Sequence, residues 1–265
     1  MKLELLEYKP VKDSEYPPLL FVHGGYHGAW CWKEHFLPYF SEKGFHAYAL
    51  SFRGHGASEG REQLNSYSLD DYRDDVLKVL EQLDKKPVLI GHSIGGAVVQ
   101  KVLYLHPEKM QAVVLMSSLP PYGFVPDFLR IVLFHNQDAN RLYLYDQGKS
   151  TEFPIKLFLS QEFPPGHLPD FINLIQPESA KARGEFFHRV VPRPEKRTVP
   201  MLVIGSKKDR VISACSTKRV AKIYQTEPVI FSNLCHDMML DPNWRTVADW
   251  IITFLYPFQF QCEEE

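Results

Sequence analysis

A chain of 265 residues with 45% hydrophobic and 23% charged side chains can bury a full core, and is neither disordered nor fibrous in composition. Its formal net charge of -2 gives no long-range pull toward phosphate backbones or anionic lipid, which argues against a nucleic-acid partner. The four cysteines, Cys31, Cys215, Cys235 and Cys262, have neither CxxC nor metal-like spacing and read as reduced thiols of a cytoplasmic protein.

In chain order, the start Met1-Lys2-Leu3-Glu4-Leu5-Leu6-Glu7 carries charge too early for a signal peptide. The apolar runs that follow are all strand-sized, so no stable membrane insertion is expected. Leu19–Val22, Ala47–Leu50, Val88–Ile90, Val113–Met116, Met201–Ile204 and Val229–Phe231 read as buried strands. They alternate with helical patterns, which predicts βαβ units: an α/β fold with a mostly parallel central sheet flanked by helices. Ser68, with capping-box spacing to Asp71, opens a helix carrying Tyr72, Val76, Val79, Leu80 and Leu83. Asp241 and Pro242 suit the start of a closing helix whose apolar stripe includes Val247, Ile251, Phe254 and Leu255. The tail from Gln261 to Glu265 reads as frayed.

The alternation breaks between about Tyr122 and Thr198, where helical pieces are separated by Pro and Gly. Nine of the 18 phenylalanines fall there, so the segment must lay apolar surface against something. The economical reading is a core from 1 to 121, a helical cap inserted at 122–198, and the rest of the core at 199–265.

Gly91-His92-Ser93-Ile94-Gly95 lies between the strand Val88–Ile90 and the helical run Ala97–Gln100. A serine on so sharp a turn is crowded by its neighbours two residues away on each side, and glycine there relieves the crowding. The helix that follows points its positive end at the serine, favouring a developing oxyanion. His23-Gly24-Gly25 directly follows the first central strand, so Gly25 and Ile94 are the candidate backbone donors of an oxyanion hole.

A serine alkoxide needs a base at neutral pH. Of 11 histidines, His236 has the right setting, just after a late strand and before the last helix. His92 is nearer in sequence, but its place beside the turn directs its ring elsewhere. Asp209 follows the strand at Met201 and completes the order Ser93, Asp209, His236. The alternative loop, Ser117-Ser118-Leu119-Pro120-Pro121, has no carboxylate, and Asp237 and Asp241 are too close to His236 in sequence. His23 and His27 have a spacing that could suit a metal. They lack a third ligand nearby, so no metal or cofactor is expected and His23 is given a structural role.

On these motifs the chain from about Leu19 to Tyr256 resembles the α/β-hydrolase superfamily, in particular its capped serine esterases and lipases. The loop His23-Gly24-Gly25-Tyr26-His27-Gly28-Ala29-Trp30-Cys31-Trp32 is similar to that of plant-type methyl esterases and hydroxynitrile lyases. Ser51-Phe52-Arg53-Gly54-His55-Gly56-Ala57-Ser58 is similar to a stretch of lysophospholipase and monoacylglycerol-lipase relatives. The lyases place a lysine after the catalytic histidine and a hydroxyl residue after the first histidine of the loop. Asp237 and Gly24 stand here instead, which points away from lyase chemistry. Epoxide hydrolases and haloalkane dehalogenases use an aspartate nucleophile, where this chain has Ser93. Cys235 stands where small residues are usual and reads as a packing residue.

The resemblance implies a small-molecule carboxylic ester with an apolar acyl or alcohol part as substrate, cleaved through an acyl-enzyme. Tyr26, Trp30 and Phe124 are the candidate substrate contacts. Two alternatives stay open: a ligand sensor with little turnover, and the same triad acting on thioester or carbon–carbon substrates.

Overall fold

The computed structural model describes residues 1–12, 14–192 and 199–258. The expected cap boundary near 198 and the tail with Cys262 lie outside the described residues. Seven strands form one sheet: β1 (Leu5–Tyr8), β2 (Leu19–Val22), β3 (Ala47–Leu50), β4 (Val88–His92), β5 (Ala112–Met116), β6 (Met201–Ser206) and β7 (Pro228–Phe231). Their spatial order is β1-β3-β2-β4-β5-β6-β7. All neighbours run parallel except the edge strand β1, which pairs antiparallel with β3. The six strands read from the sequence are all present. β1 is additional, and its half-exposed pattern with Glu7 facing solvent explains why no apolar run marks it.

Side chains alternate across the sheet, so each central strand feeds two cores. Leu19 and Phe21 of β2 pack on one face with Trp32, Phe36 and Phe40. Leu20 and Val22 pack on the other with Tyr72, Val76, Val98 and Val102. The helices divide accordingly. On the first face lie α1 (Trp30–Lys33), α2 (Phe36–Glu42) and the closing helix; on the second lie α3 (Leu69–Leu80) and α4 (Ile94–Leu105).

The Ser68 side chain accepts the Asp71 N–H at 3.1 Å, and the Asp71 carboxylate accepts the Ser68 N–H at 2.8 Å, a complete capping box for α3. Such a cap contributes about 1 kcal/mol. Arg53, just beyond β3, ties that strand to α3 through Asp71 at 2.9 Å and Asp75 at 2.7 Å.

Between β5 and β6 the described residues contain helices and no strand: α5 (Val125–Phe134), α6 (Asn136–Asp146), α7 (Ile155–Phe158), α8 (Leu168–Leu174) and α9 (Ala180–Glu185). Ile131, Phe153, Phe158 and Phe171 from this segment join the first core, and Phe186 joins the second. The apolar surplus is therefore partly absorbed. Part of the remainder faces solvent, with Leu133 and Phe134 of α5 exposed at 73% and 76%.

The sheet ends with α10 (Ala214–Ile223) and α11 (Trp244–Leu255), on which Val247, Ile251 and Leu255 are fully buried. The closing helix starts later than expected, with Asn243 at the cap position. Asp241 accepts the Cys235 and Asn243 amides at 3.0 and 2.9 Å, so its carboxylate closes the preceding loop instead of capping the helix. No helix among the described residues is long and apolar enough to cross a membrane.

The chain leaves β2 toward β3 on one side, then returns to place β4 on the other. This reversal opens a crevice at the carboxyl ends of β2 and β4, where ligands of open α/β sheets bind. Both glycine motifs lie there.

Candidate active site

β4 ends at His92 and α4 begins at Ile94, leaving Ser93 alone to make the turn, with φ 52° and ψ -117°. A non-glycine residue held there costs about 1–3 kcal/mol and persists only when its surroundings fix it. They do so through the Ser93 N–H, which donates to the Met116 carbonyl at 3.1 Å, and the Leu119 N–H, which donates to the Ser93 carbonyl at 2.9 Å. A Cβ on Gly91 would sit 2.7 Å from the Gly95 carbonyl oxygen, and one on Gly95 would sit 2.4 Å from the Val22 and His23 carbonyl oxygens. The two glycines thus admit close backbone approach on both sides of Ser93.

His236 lies in the loop between β7 and α11, and Asp209 follows β6. Nδ1 of His236 is 3.0 and 3.1 Å from the two Asp209 carboxylate oxygens. Facing only a carboxylate, Nδ1 carries the proton, which leaves Nε2 with its lone pair. Nε2 is buried and has no hydrogen-bond partner. The Asp209 carboxylate also accepts the Val211 and Ile212 amides at 2.7 and 2.9 Å. Burial would raise its pKa, but the His236 charge and hydrogen bond, with those from Ser117 and Ile212, hold it below the usual carboxylate value. Ser93, His236, Gly25 and Ile94 all line one cavity.

The loop after β2 is held by two buried histidines. His23 donates Nδ1–H to the Gly24 carbonyl at 2.7 Å and accepts the Phe52 N–H on Nε2 at 3.1 Å, which makes it a neutral ring. Burial, with the neighbouring His55, keeps its pKa well below the ordinary histidine value. His27 donates Nδ1–H to the Gly25 carbonyl at 2.6 Å and Nε2–H to Asp237 at 3.0 Å. Ile94 opens α4, so its N–H has no acceptor within the helix.

His92 lines the same cavity, with its ring 4.7 Å from that of His236. Its Nε2–H donates to the His236 carbonyl at 3.0 Å, and burial beside the His236 ring pushes its pKa down to about 3. His92, His236 and Asp237 bring three donor atoms within 4.8 Å of one another. Cys235 is buried with its thiol on the Asp237 carbonyl at 3.5 Å, and burial pushes its pKa well up.

The cavity has a volume of about 690 Å³. Its wall is largely apolar, with Leu119, Phe124, Phe128, Ile131, Leu157 and Phe158 among the contributors. Tyr26 and Phe124 line it. Trp30 does not, because its ring stacks on His27 at 5.2 Å. At one edge the Tyr26 hydroxyl donates to Asp146 at 3.1 Å, and Arg183 pairs with the same carboxylate at 2.5 Å. Burial raises the Asp146 pKa despite both partners. Another buried group lies behind the loop that follows β2. Glu178 accepts the Tyr72 hydroxyl at 2.6 Å, and its other oxygen lies 3.3 Å from His55 Nε2, an ion-pair contact without hydrogen-bond alignment.

Sequence reasoning did not pair His27 with Asp237, which stand 210 positions apart, nor Glu178 with His55. The one local signal for the first pair was a second histidine four residues after His23 in a glycine-rich loop.

The family model described as the alpha/beta hydrolase fold matches residues 17–186. The chain is 28% identical to methyl jasmonate esterase 1 of Vitis vinifera over 214 residues, 73% of this chain and 79% of that protein. It is 25% identical to pheophorbidase of Raphanus sativus over 222 residues, 79% and 83% of the two chains. Its fold is shared with an esterase from Exiguobacterium antarcticum, with a TM-score of 0.74 at 18% identity over 96% of this chain and 95% of that one. The chain belongs to the α/β-hydrolase family.

Proposed function

We propose that this chain is a serine hydrolase of carboxylic esters with an apolar acyl or alcohol part. The observation that carries the reading is the His236 ring, with Nδ1 on the Asp209 carboxylate and an unpartnered Nε2 in the same cavity as Ser93. An enzyme of methyl jasmonate and a pheophorbidase among the relatives favour an ester.

His236 takes the Ser93 proton as the serine oxygen bonds to the ester carbonyl carbon. The carbonyl oxygen gains the negative charge, held by the Gly25 and Ile94 N–H groups. Collapse breaks the bond to the alcohol oxygen, which leaves with the proton from His236. Water then attacks the acyl-enzyme by the same route, releasing the acid and restoring Ser93. Asp209 keeps the His236 ring in its Nδ1–H form and stabilises the imidazolium as it forms.

The described residues 122–192 serve as a cap over the sheet's carboxyl end, with α5, α6 and α7 closing the cavity above Ser93. The wall of Phe128, Ile131, Leu157 and Phe158 selects the apolar part of the substrate. A ladder of p-nitrophenyl esters from two to twelve acyl carbons tests this. Turnover that rises through the middle of the ladder and vanishes in Ser93→Ala supports the reading. Ser93 labelling by a fluorophosphonate without ester turnover would favour a sensor built on the same site.

A further inference from the structure

The geometry points to His27 as a positioning residue that, held by Asp237, pins the Gly25 carbonyl and so, together with His23 on the Gly24 carbonyl, keeps the Gly25 N–H fixed toward the reacting oxygen. This rests on the reading of Ser93, Asp209 and His236 as the triad.

Gly25 is an awkward donor to hold still. Glycine is the least restricted residue, and a side chain cannot restrain it here, because a Cβ would sit 2.4 Å from Ile94 Cδ1. The peptides on either side are gripped instead. The plane carrying the Gly25 N–H also carries the Gly24 carbonyl, and in a planar trans peptide the two point opposite ways. His23 holds that carbonyl at 2.7 Å. The next plane carries the Gly25 carbonyl, held by His27 at 2.6 Å, and leads into Tyr26 at the uncommon φ of 67°. Gly25 is thus pinned through both flanking carbonyls.

His27 differs from His23 in its charge. Both of its ring nitrogens face acceptors, Gly25 and Asp237, so the ring carries two protons. Burial would push its pKa down, but Asp237 and the bond to Gly25 hold it above the ordinary histidine value, while His27 holds Asp237 below the ordinary carboxylate value. The other titratable groups about this pair are His92 at the end of β4, His23 in the same loop, Cys31 in α1, Cys235 and His236 beside Asp237, and Glu178 between α8 and α9. The Trp30 and Phe171 rings close the remaining sides.

The partners are placed so that this grip links the reacting groups. Asp237 directly follows the base His236. His92 directly precedes the nucleophile and donates to the His236 carbonyl. One buried chain of contacts therefore joins the loops of nucleophile, base and oxyanion donor, each through a residue adjacent to or within the motif.

Two substitutions separate the grip from the ion pair. An asparagine amide reaches where His27 Nδ1 stands and keeps a donor to Gly25; a glutamine amide reaches where Nε2 stands and keeps only the donor to Asp237. Ser93-dependent ester turnover by the wild type is established first. His27→Gln is then expected to lower kcat and the affinity for a trifluoromethyl ketone together by about 10- to 100-fold, with KM near the wild-type value. His27→Asn is expected to restore most of both. Equal losses in the two variants, or a loss confined to KM or to melting temperature, would overturn the role. A wild type without Ser93-dependent turnover would overturn the triad reading and this proposal together. An active wild type with an indifferent His27→Gln would overturn this proposal alone. Should neither variant fold, the ¹⁵N spectrum of imidazole-labelled wild type decides: a proton on His27 Nδ1 at neutral pH supports the grip, and a ring without the Nδ1 proton overturns it.

Discussion

Gly95→Ala isolates the close approach on which the site depends. Gly95 lies in the first turn of α4 and is not among the residues with positive φ, so its backbone needs no glycine. By helix propensity alone, alanine would gain about 1 kcal/mol. The added Cβ, however, would lie 2.4 Å from the Val22 and His23 carbonyl oxygens, where ordinary contact begins at 3.4 Å. Those oxygens belong to the end of β2 and the start of the His23–Gly25 loop, and neither is the tip of a flexible side chain. Relief therefore requires the Ser93 turn and the oxyanion loop to separate by about 1 Å, a displacement that costs roughly 100-fold in rate, or about 2.7 kcal/mol. Overpacking adds a stability loss of about 1–3 kcal/mol, partly offset by the propensity gain. Ester kinetics and thermal melts on the same samples read both effects. An alanine variant as active as the wild type would refute the inferred apposition of turn and loop.

Asp209→Asn is expected to lower kcat by about 10⁴-fold while the melt stays cooperative, measured by ester kinetics and circular dichroism. Ser68→Ala removes the α3 cap and is expected to cost about 1 kcal/mol in denaturant unfolding with no change in kcat. Stability should also depend on pH in a definite direction. Asp209 and Asp237 are held below the usual carboxylate value, so their contributions are complete above about pH 4 and fade as pH falls through the folded values. His27 is held above the usual histidine value, so its contribution is complete below about pH 6.5 and is lost as pH rises through its folded value. Melting temperature against pH is therefore expected to fall on both sides of the weakly acidic range; a profile flat from pH 3 to 9 would contradict these assignments.

The central strands were legible because β2, β4, β5 and β6 are buried on both faces, which forces continuous apolar runs. β1 was not, since an edge strand facing solvent needs no such run. The start of α11 was misplaced by two residues because Asp241 and Pro242 have cap chemistry, yet the Asp241 carboxylate is drawn to the Cys235 amide. Ser93, Asp209 and His236 were named in sequence because each lies in the loop or turn that follows a recognisable strand. The ties among their loops were not, because a buried pair such as His27 and Asp237 leaves no periodic trace.

The most direct test is the intact mass of the protein, trapped during hydrolysis of a slow p-nitrophenyl ester and mapped by peptide sequencing. An acyl adduct on Ser93 whose decay matches the steady-state rate is expected, with no adduct in Ser93→Ala. Steady ester turnover that persists in Ser93→Ala, or an adduct on another residue, would contradict it.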